Sequence, residues 1–198
     1  MADQYSTEGL EPAAHISMKT IAMAGILVDV YGIGELPVEG PITCLWLLHP
    51  RTRTRGRMQD IAKRTIDAWL RHDQPLMEGK RRGLVALAFD MPNHGNRMVS
   101  ELSNHAWDRG NELHAIDMAG FVRGAVCDMS SLMYLVAGYL ERDVDAHVCL
   151  GWSMGGHSAW QAWLAEDRID AAVVVVGCPN FIGNCQRSPP ILLLPLKW

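Results

Sequence analysis

The chain has 198 residues, 48% of them hydrophobic and 20% charged, with a formal net charge of -4. That length and composition suit one globular domain with a real core. The acidic balance excludes the basic excess that general nucleic-acid binding requires. Cys44, Cys127, Cys149, Cys178 and Cys185 form no Cys-x-x-Cys pair and sit mostly in apolar runs, so neither a disulfide framework nor a zinc site is expected. The N-terminus shows no basic stretch followed by an apolar core, and no apolar run reaches the ~20 residues of a membrane span. A cytoplasmic protein without a membrane partner is the expectation.

Residues 1–14 are polar and are expected to form a flexible N-terminus. Ile16–Met23 and Gly25–Tyr31 are β-rich runs split by Ala24-Gly25, which reads as a hairpin or two adjoining strands. Residues 32–40 carry glycine, proline and acids and read as loop. Thr43–Leu48 is apolar throughout, as expected of a strand buried on both faces. Met58–His72 spaces Met58, Ile61, Ala62, Ile66, Trp69 and Leu70 as one face of a helix. Leu84–Phe89 is a second buried strand, ending in Asp90. Residues 112–141 carry a long helical pattern through Met118, Phe121, Val122, Ala125, Met129 and Leu132. Ala146–Leu150 reads as a strand, Gly155–Ala165 as a helix and Ala171–Val176 as an apolar strand. Strands alternating with helices imply a mostly parallel sheet covered on both faces, an α/β fold.

The chemistry concentrates at Gly151-Trp152-Ser153-Met154-Gly155-Gly156, directly after a predicted strand. A strand running into Gly-x-Ser-x-Gly and then a helix is the sequence form of a nucleophile elbow. The sharp turn strains the serine backbone and crowds the positions two residues either side, so only glycine fits there. It also lifts the Ser153 hydroxyl above the sheet edge and turns the Met154 N–H toward a developing oxyanion.

Three motifs stand in order at the carboxyl ends of predicted strands: Leu48-His49-Pro50-Arg51, Asp90-Met91-Pro92-Asn93-His94-Gly95 and the elbow. Over residues 15–182 the chain resembles the α/β-hydrolase family, most of all its esterase- and peptidase-type members. The resemblance implies an α/β-hydrolase sheet and a serine hydrolase of ester or amide bonds that needs no cofactor. Ser153 would be the catalytic nucleophile, with the Met154 amide as one oxyanion donor. Pro50 has no N–H to give, so the second donor would be the Arg51 amide. His49, Asp90 and His94 would brace the site, Asp90 by capping neighbouring amides. His94 and His157 are the weaker alternatives for a base. The basic runs Arg51–Arg57 and Lys80–Arg82 read as solvated loop faces, although an arginine of the first could meet an anionic substrate group.

The same resemblance implies a carboxylate after a late strand and a histidine in the final loop. Here Asn180 stands where some members carry the acid, no histidine follows His157, and Glu166, Asp167 and Asp170 fall at the wrong end of the sheet. The expectation is therefore a partial hydrolase domain over 15–182, lacking its last strands, with residues 183–198 as an irregular tail and the chain a truncated form with weak or no activity. A non-catalytic binding module of the same fold is the alternative. The expected partners are a small-molecule ester or amide and, through an exposed sheet edge, other copies of the chain.

Overall fold

The computed structural model describes residues 10–72, 76–77 and 80–180. Most of the N-terminal segment 1–14 and the whole of the expected tail 183–198 lie outside the described residues.

The first two strands, β1 (Met18–Met23) and β2 (Ile26–Tyr31), form an antiparallel hairpin. Its turn is Ala24-Gly25, both at positive φ. β3 (Ile42–Leu48) is buried at every position. Helix α1 (Gln59–Arg71) follows, then a two-residue hairpin of β4 (Leu76–Met77) and β5 (Lys80–Arg81), then the wholly buried β6 (Gly83–Phe89). Helix α2 (His114–Leu140) leads to β7 (Val144–Trp152), α3 (Met154–Ala165) and β8 (Ile169–Val175). The main sheet has the order β1-β2-β6-β3-β7-β8, with β6, β3, β7 and β8 mutually parallel. Only the hairpin pairings run antiparallel.

Side chains alternate across a strand, and this alternation divides the core into two layers. Leu45, Leu47, Ala86 and Ala88 turn to one face and pack on Met58, Ala62 and Ile66 around α1. Trp46, Leu48, Val85, Leu87 and Phe89 turn to the other, against Met118, Val122, Ala125 and Met129 of α2 and Ala159 and Ala162 of α3. Helices thus cover both faces at the centre of the sheet, and β3 and β6 are buried throughout as their apolar runs require.

One sequence expectation changes here. Leu70, read as part of the α1 core face, is 49% exposed; the buried residues of α1 are Ala62 and Ile66, with Trp69 partly buried beside them. β8 is not buried on both sides. Ala172 and Val174 pack beside α3, while Ala171, Val173 and Val175 are exposed. It is the terminal strand of the sheet order and pairs with β7 alone among the described residues. Within those residues no helix is long and apolar enough to cross a membrane.

Candidate active site

β7 ends at Trp152 and α3 begins at Met154, so Ser153 alone makes the strand-to-helix turn. Its backbone sits at φ 55°, ψ -113°, a conformation that costs a non-glycine residue about 1–3 kcal/mol and persists only when its surroundings enforce it. The enforcement is visible. The Ser153 N–H donates to the Val175 carbonyl at 2.8 Å, and the Ser153 carbonyl accepts the His157 N–H at 3.1 Å. A Cβ on Gly151 would run into the Gly155 carbonyl, and one on Gly155 into the Leu48 carbonyl. The start of α3 therefore rests directly on the backbone ends of β7 and β3. Ser153 is half-buried at this edge. As the first helical residue, Met154 has an N–H with no acceptor inside α3.

The loop after β3 is held by a histidine. His49 is fully buried. Its Nε2 accepts the Met91 N–H at 3.0 Å, which leaves the proton on Nδ1 to be donated to the Pro50 carbonyl at 2.8 Å. One ring thus ties the β3 loop to the β6 loop. Pro50 O also accepts the Arg53 N–H at 3.2 Å, closing the turn through Thr52 at φ 61°. Burial pushes the His49 ring down to about 4 from an ordinary 6.5, so it is neutral.

Asp90, 1% exposed, organises the second loop. Its carboxylate accepts the Arg55 N–H at 2.8 Å, the Arg55 guanidinium at 2.5 Å and the Asn96 N–H at 3.1 Å. Gly95 closes over that carboxylate so tightly that a Cβ there would overlap it. His94 is fully buried, donates Nδ1–H to the Pro92 carbonyl at 2.8 Å, and packs edge-on against His49 at 5.2 Å and Phe121 at 5.7 Å. Its Nε2 has no hydrogen-bond partner among the described residues.

Three arginines of the first basic run, Arg51, Arg55 and Arg57, are not on a solvated face, contrary to their reading in the sequence. Arg55 bridges Asp29 at 3.0 Å and Asp90, Arg51 donates to the Asn104 carbonyl at 2.7 Å, and Arg57 lies 5.0 Å over the Trp152 ring. These three guanidinium groups have each found an acceptor or a π face, as charge leaving water requires, while Arg53 is exposed. Arg55 was the residue that sequence reasoning missed. The signal was Asp29, a carboxylate inside the apolar strand Ile26–Tyr31, which needs a cation. Asn93 and Asn104 were missed too. They hold the segment after Gly95 by mutual side-chain bonds and by Asn93 Oδ1 accepting the Val99 and Ser100 N–H groups.

The residues weighed as base or acid do not meet at Ser153. The His157 Nδ1 faces the backbone of Cys178 at 3.2 Å. Glu166 pairs with Arg168 and Ser130, and Asp170 accepts the His147 N–H at 2.9 Å. His147 and Ile169 are cross-strand partners, as are Trp152 and Val175. Asp170 is therefore about 16 Å from the elbow at ~3.3 Å per residue. Asn180 is exposed. Among the described residues no group of three or more His, Cys, Asp and Glu side chains is placed to hold a metal.

The neutral His49 sets an expected pH response. Its folded value lies below its unfolded one, so the unfolded chain binds more protons between the two. Stability is fully present above about pH 6.5 and is lost as pH falls toward 4, by about 2–3 kcal/mol at pH 4.5. His94, His114 and His147, each lowered chiefly by burial, act with the same sign. Urea unfolding at pH 7.5 and 4.5 checks this. The loss should be smaller in His49→Gln, and an equal loss in both chains would contradict it.

A six-stranded, mostly parallel sheet with a strained serine at its central strand-to-helix turn defines an α/β hydrolase architecture. The family model described as the alpha/beta hydrolase family matches residues 24–197, and the chain belongs to that family. It is 36% identical over 87 residues to the pimeloyl-[acyl-carrier protein] methyl ester esterase of Citrobacter koseri. That match takes in 43% of this chain and 32% of the relative, so the chain spans about a third of the curated relative it matches. A crystal structure from Thermus thermophilus superposes with a TM-score of 0.58 at 16% identity, covering 89% of this chain and 68% of that one. The dienelactone hydrolase of Anabaena variabilis gives 0.51 at 12% identity, covering 86% and 68%. At these identities the structures show the shared fold.

Proposed function

We propose that the chain acts as a serine hydrolase of carboxylic ester or amide bonds, with Ser153 as nucleophile. The observation that carries this reading is the backbone of Ser153 at φ 55°, ψ -113°, enforced from both sides by bare glycines. Strain of this kind clusters where a side chain must be presented for chemistry. The Ser153 hydroxyl attacks the carbonyl carbon, and the amides of Met154 and Arg51 receive the charge that forms on its oxygen. His49 and Asp90 hold the Arg51 loop against the β6 loop, and His94 packs behind them. The Citrobacter relative is named as an esterase, which favours esters over amides. The hydrolase works in the cytoplasm on this reading, which the free Cys44, Cys127 and Cys149 support.

A serine hydroxyl needs an imidazole to take its proton and a carboxylate to orient that imidazole. The described residues bring no such pair to Ser153, and this favours slow turnover. An oxyanion hole and binding alone leave ~10³–10⁴-fold over water. Hydrolysis of p-nitrophenyl acetate by residues 1–198 should therefore be detectable but far below the ~1–10³ s⁻¹ of ordinary enzymes, and should fall in Ser153→Ala to what the oxyanion hole and binding alone give. Turnover in the ordinary range that depends on Ser153 would mean that a histidine does reach it. Hydrolysis unchanged in Ser153→Ala would remove Ser153 from the chemistry. The missing pair also favours the second reading, a non-catalytic binding module, which predicts no Ser153-dependent turnover.

Self-association belongs to the same reading. β8 presents Val173 and Val175 at 54% and 39% exposure, with Val176 beside them at 75%. Apolar edge strands invite pairing with another chain. Size-exclusion chromatography with light scattering should show concentration-dependent oligomers that Val173→Lys reduces, and a concentration-independent 22 kDa monomer would contradict it.

A further inference from the structure

A peptide unit carries a carbonyl on one edge and an N–H on the other, so a hydrogen bond made at one edge strengthens the bond made at the other. Two such units and one imidazole are joined end to end between α2 and the β3 loop. One nitrogen of the Arg97 guanidinium donates to the Asp128 carboxylate at 2.7 Å and to the Asp90 carbonyl at 2.9 Å. The Asp90 carbonyl shares its peptide with the Met91 N–H, which donates to His49 Nε2 at 3.0 Å. His49 Nδ1–H donates to the Pro50 carbonyl at 2.8 Å, and that carbonyl shares its peptide with the Arg51 N–H. Each N–H of a trans peptide points away from its own carbonyl. The donors therefore all face the same way, from α2 toward Arg51.

Each link of this chain is held in place. The Arg97 and Asp128 side chains are 27% and 22% exposed, so their pair lies mostly out of water. One turn earlier, α2 already presses on the same loop, because a Cβ on Gly124 would meet the Pro92 ring at 2.8 Å. His49 and Met91 are fully buried, which keeps solvent from the middle of the chain. The neutral His49 ring is also what the chain requires, since an imidazolium has no lone pair for the Met91 N–H. At the far end, the Arg51 N–H has no acceptor among the described residues. It stands two residues beyond His49, and the Leu48 and His49 carbonyls are the backbone against which Gly155 of the elbow packs.

Resting on the reading of the Arg51 amide as an oxyanion donor, we propose that Arg97 is a positioning residue for the Ser153 reaction. Through the Asp90–Met91 peptide and His49, it orients the Pro50–Arg51 peptide and makes the Arg51 N–H a stronger donor. The guanidinium draws electron density onto the Asp90 oxygen, which makes the Met91 N–H more acidic and its bond to His49 stronger. The His49 Nδ1–H is polarised in turn, and with it the Pro50 carbonyl and the Arg51 N–H. A bond from a cation is about twice as strong as a neutral one, so the chain starts on its strongest link. Asp128 fixes the guanidinium, and Arg97 acts through these groups rather than on the substrate. The strengthened donor matters only when charge develops on the substrate oxygen, so the effect belongs to kcat and not to KM.

The test uses NMR of the nitrogen-15-labelled chain 1–198, so that its first readout does not depend on turnover. In Arg97→Met the Met91 N–H proton, the His49 Nδ1–H proton and the Arg51 amide nitrogen should all move upfield, because each bond behind them weakens. The shifts should shrink from Met91 to Arg51, and the Asn104 N–H, which donates to the Glu101 carbonyl off this chain, should stay. Arg97→Lys should restore most of each signal, since one nitrogen makes both bonds and an ammonium carries three N–H groups. If a thermal melt shows Arg97→Met unfolded, Arg97→Gln keeps two N–H groups without the charge and should give shifts of intermediate size. In p-nitrophenyl acetate hydrolysis, the Ser153-dependent kcat should fall about three- to tenfold in Arg97→Met at unchanged KM, less than the loss of a donor outright. Arg71→Met, at an exposed ion pair of α1, should change neither readout. Unmoved His49 and Arg51 signals in a folded Arg97 variant overturn the proposal, and so does an unchanged Ser153-dependent kcat or a lysine variant that behaves like methionine. Coupled signals with no Ser153-dependent hydrolysis would instead overturn the hydrolase reading and leave the coupling of Arg97 to the Arg51 amide standing.

Discussion

Gly155→Ala should be among the most destabilising single-methyl additions available in this chain. The new Cβ would be driven into the Leu48 carbonyl, with the His49 carbonyl close behind. Both are backbone atoms at the end of a fully buried strand, so neither can swing aside as a flexible side chain could. Relief requires α3 to lift off β3, which takes the Ser153 turn with it. We expect a loss of at least about 4 kcal/mol, in the range reserved for core overpacking and enforced strain. For a chain of this size that lowers the melting temperature by about 8–16 °C. Gly138→Ala is the control. Gly138 lies on an exposed part of α2 with no atom within 4 Å of the added methyl, and alanine there should add up to about 1 kcal/mol of stability. Similar melting temperatures for the two variants would contradict the close packing of the elbow.

Asp90→Ala should be the second large effect. The carboxylate accepts two backbone N–H groups and a guanidinium while 1% exposed. Its removal leaves the Arg55 and Asn96 amides without their acceptor and the Arg55 guanidinium with Asp29 and the Asn96 side-chain oxygen. Breaking a buried pair costs about 3–5 kcal/mol. The surviving Asp29 contact sets the expectation at the lower end, a melting shift of about 6–12 °C. Asp67→Ala removes the partner of Arg71, which is 74% exposed at its side chain, and should change stability by no more than about 0.5 kcal/mol. Both loops of the site depend on Asp90, so Asp90→Ala should also slow any Ser153-dependent reaction, and Asp67→Ala should not.

The elbow was legible because its chemistry is local. Gly151, Ser153 and Gly155 are specified by a turn of five residues, and a turn that tight admits few other sequences. The buried strands were legible for a similar reason, since Thr43–Leu48 and Leu84–Phe89 have no polar side to confuse the pattern. What escaped depends on distance along the chain. Arg55 and Asp90 are 35 residues apart, and nothing in either segment names the other. A run of arginines looks solvated until the fold brings Asp29, Asp90, Asn104 and Trp152 beneath it. The His49 tautomer follows from the Met91 amide, which only the packed β3 and β6 loops supply.

The central claim is that the elbow presents Ser153 for nucleophilic attack, and covalent trapping tests it most directly. Residues 1–198 would be treated with a fluorophosphonate and the adduct located by mass spectrometry of peptides. The account predicts a single modified serine, Ser153, labelled faster than the other serines of the chain and not labelled in the urea-unfolded protein. Labelling spread evenly over the serines, or absent from Ser153 in the folded chain, would contradict it.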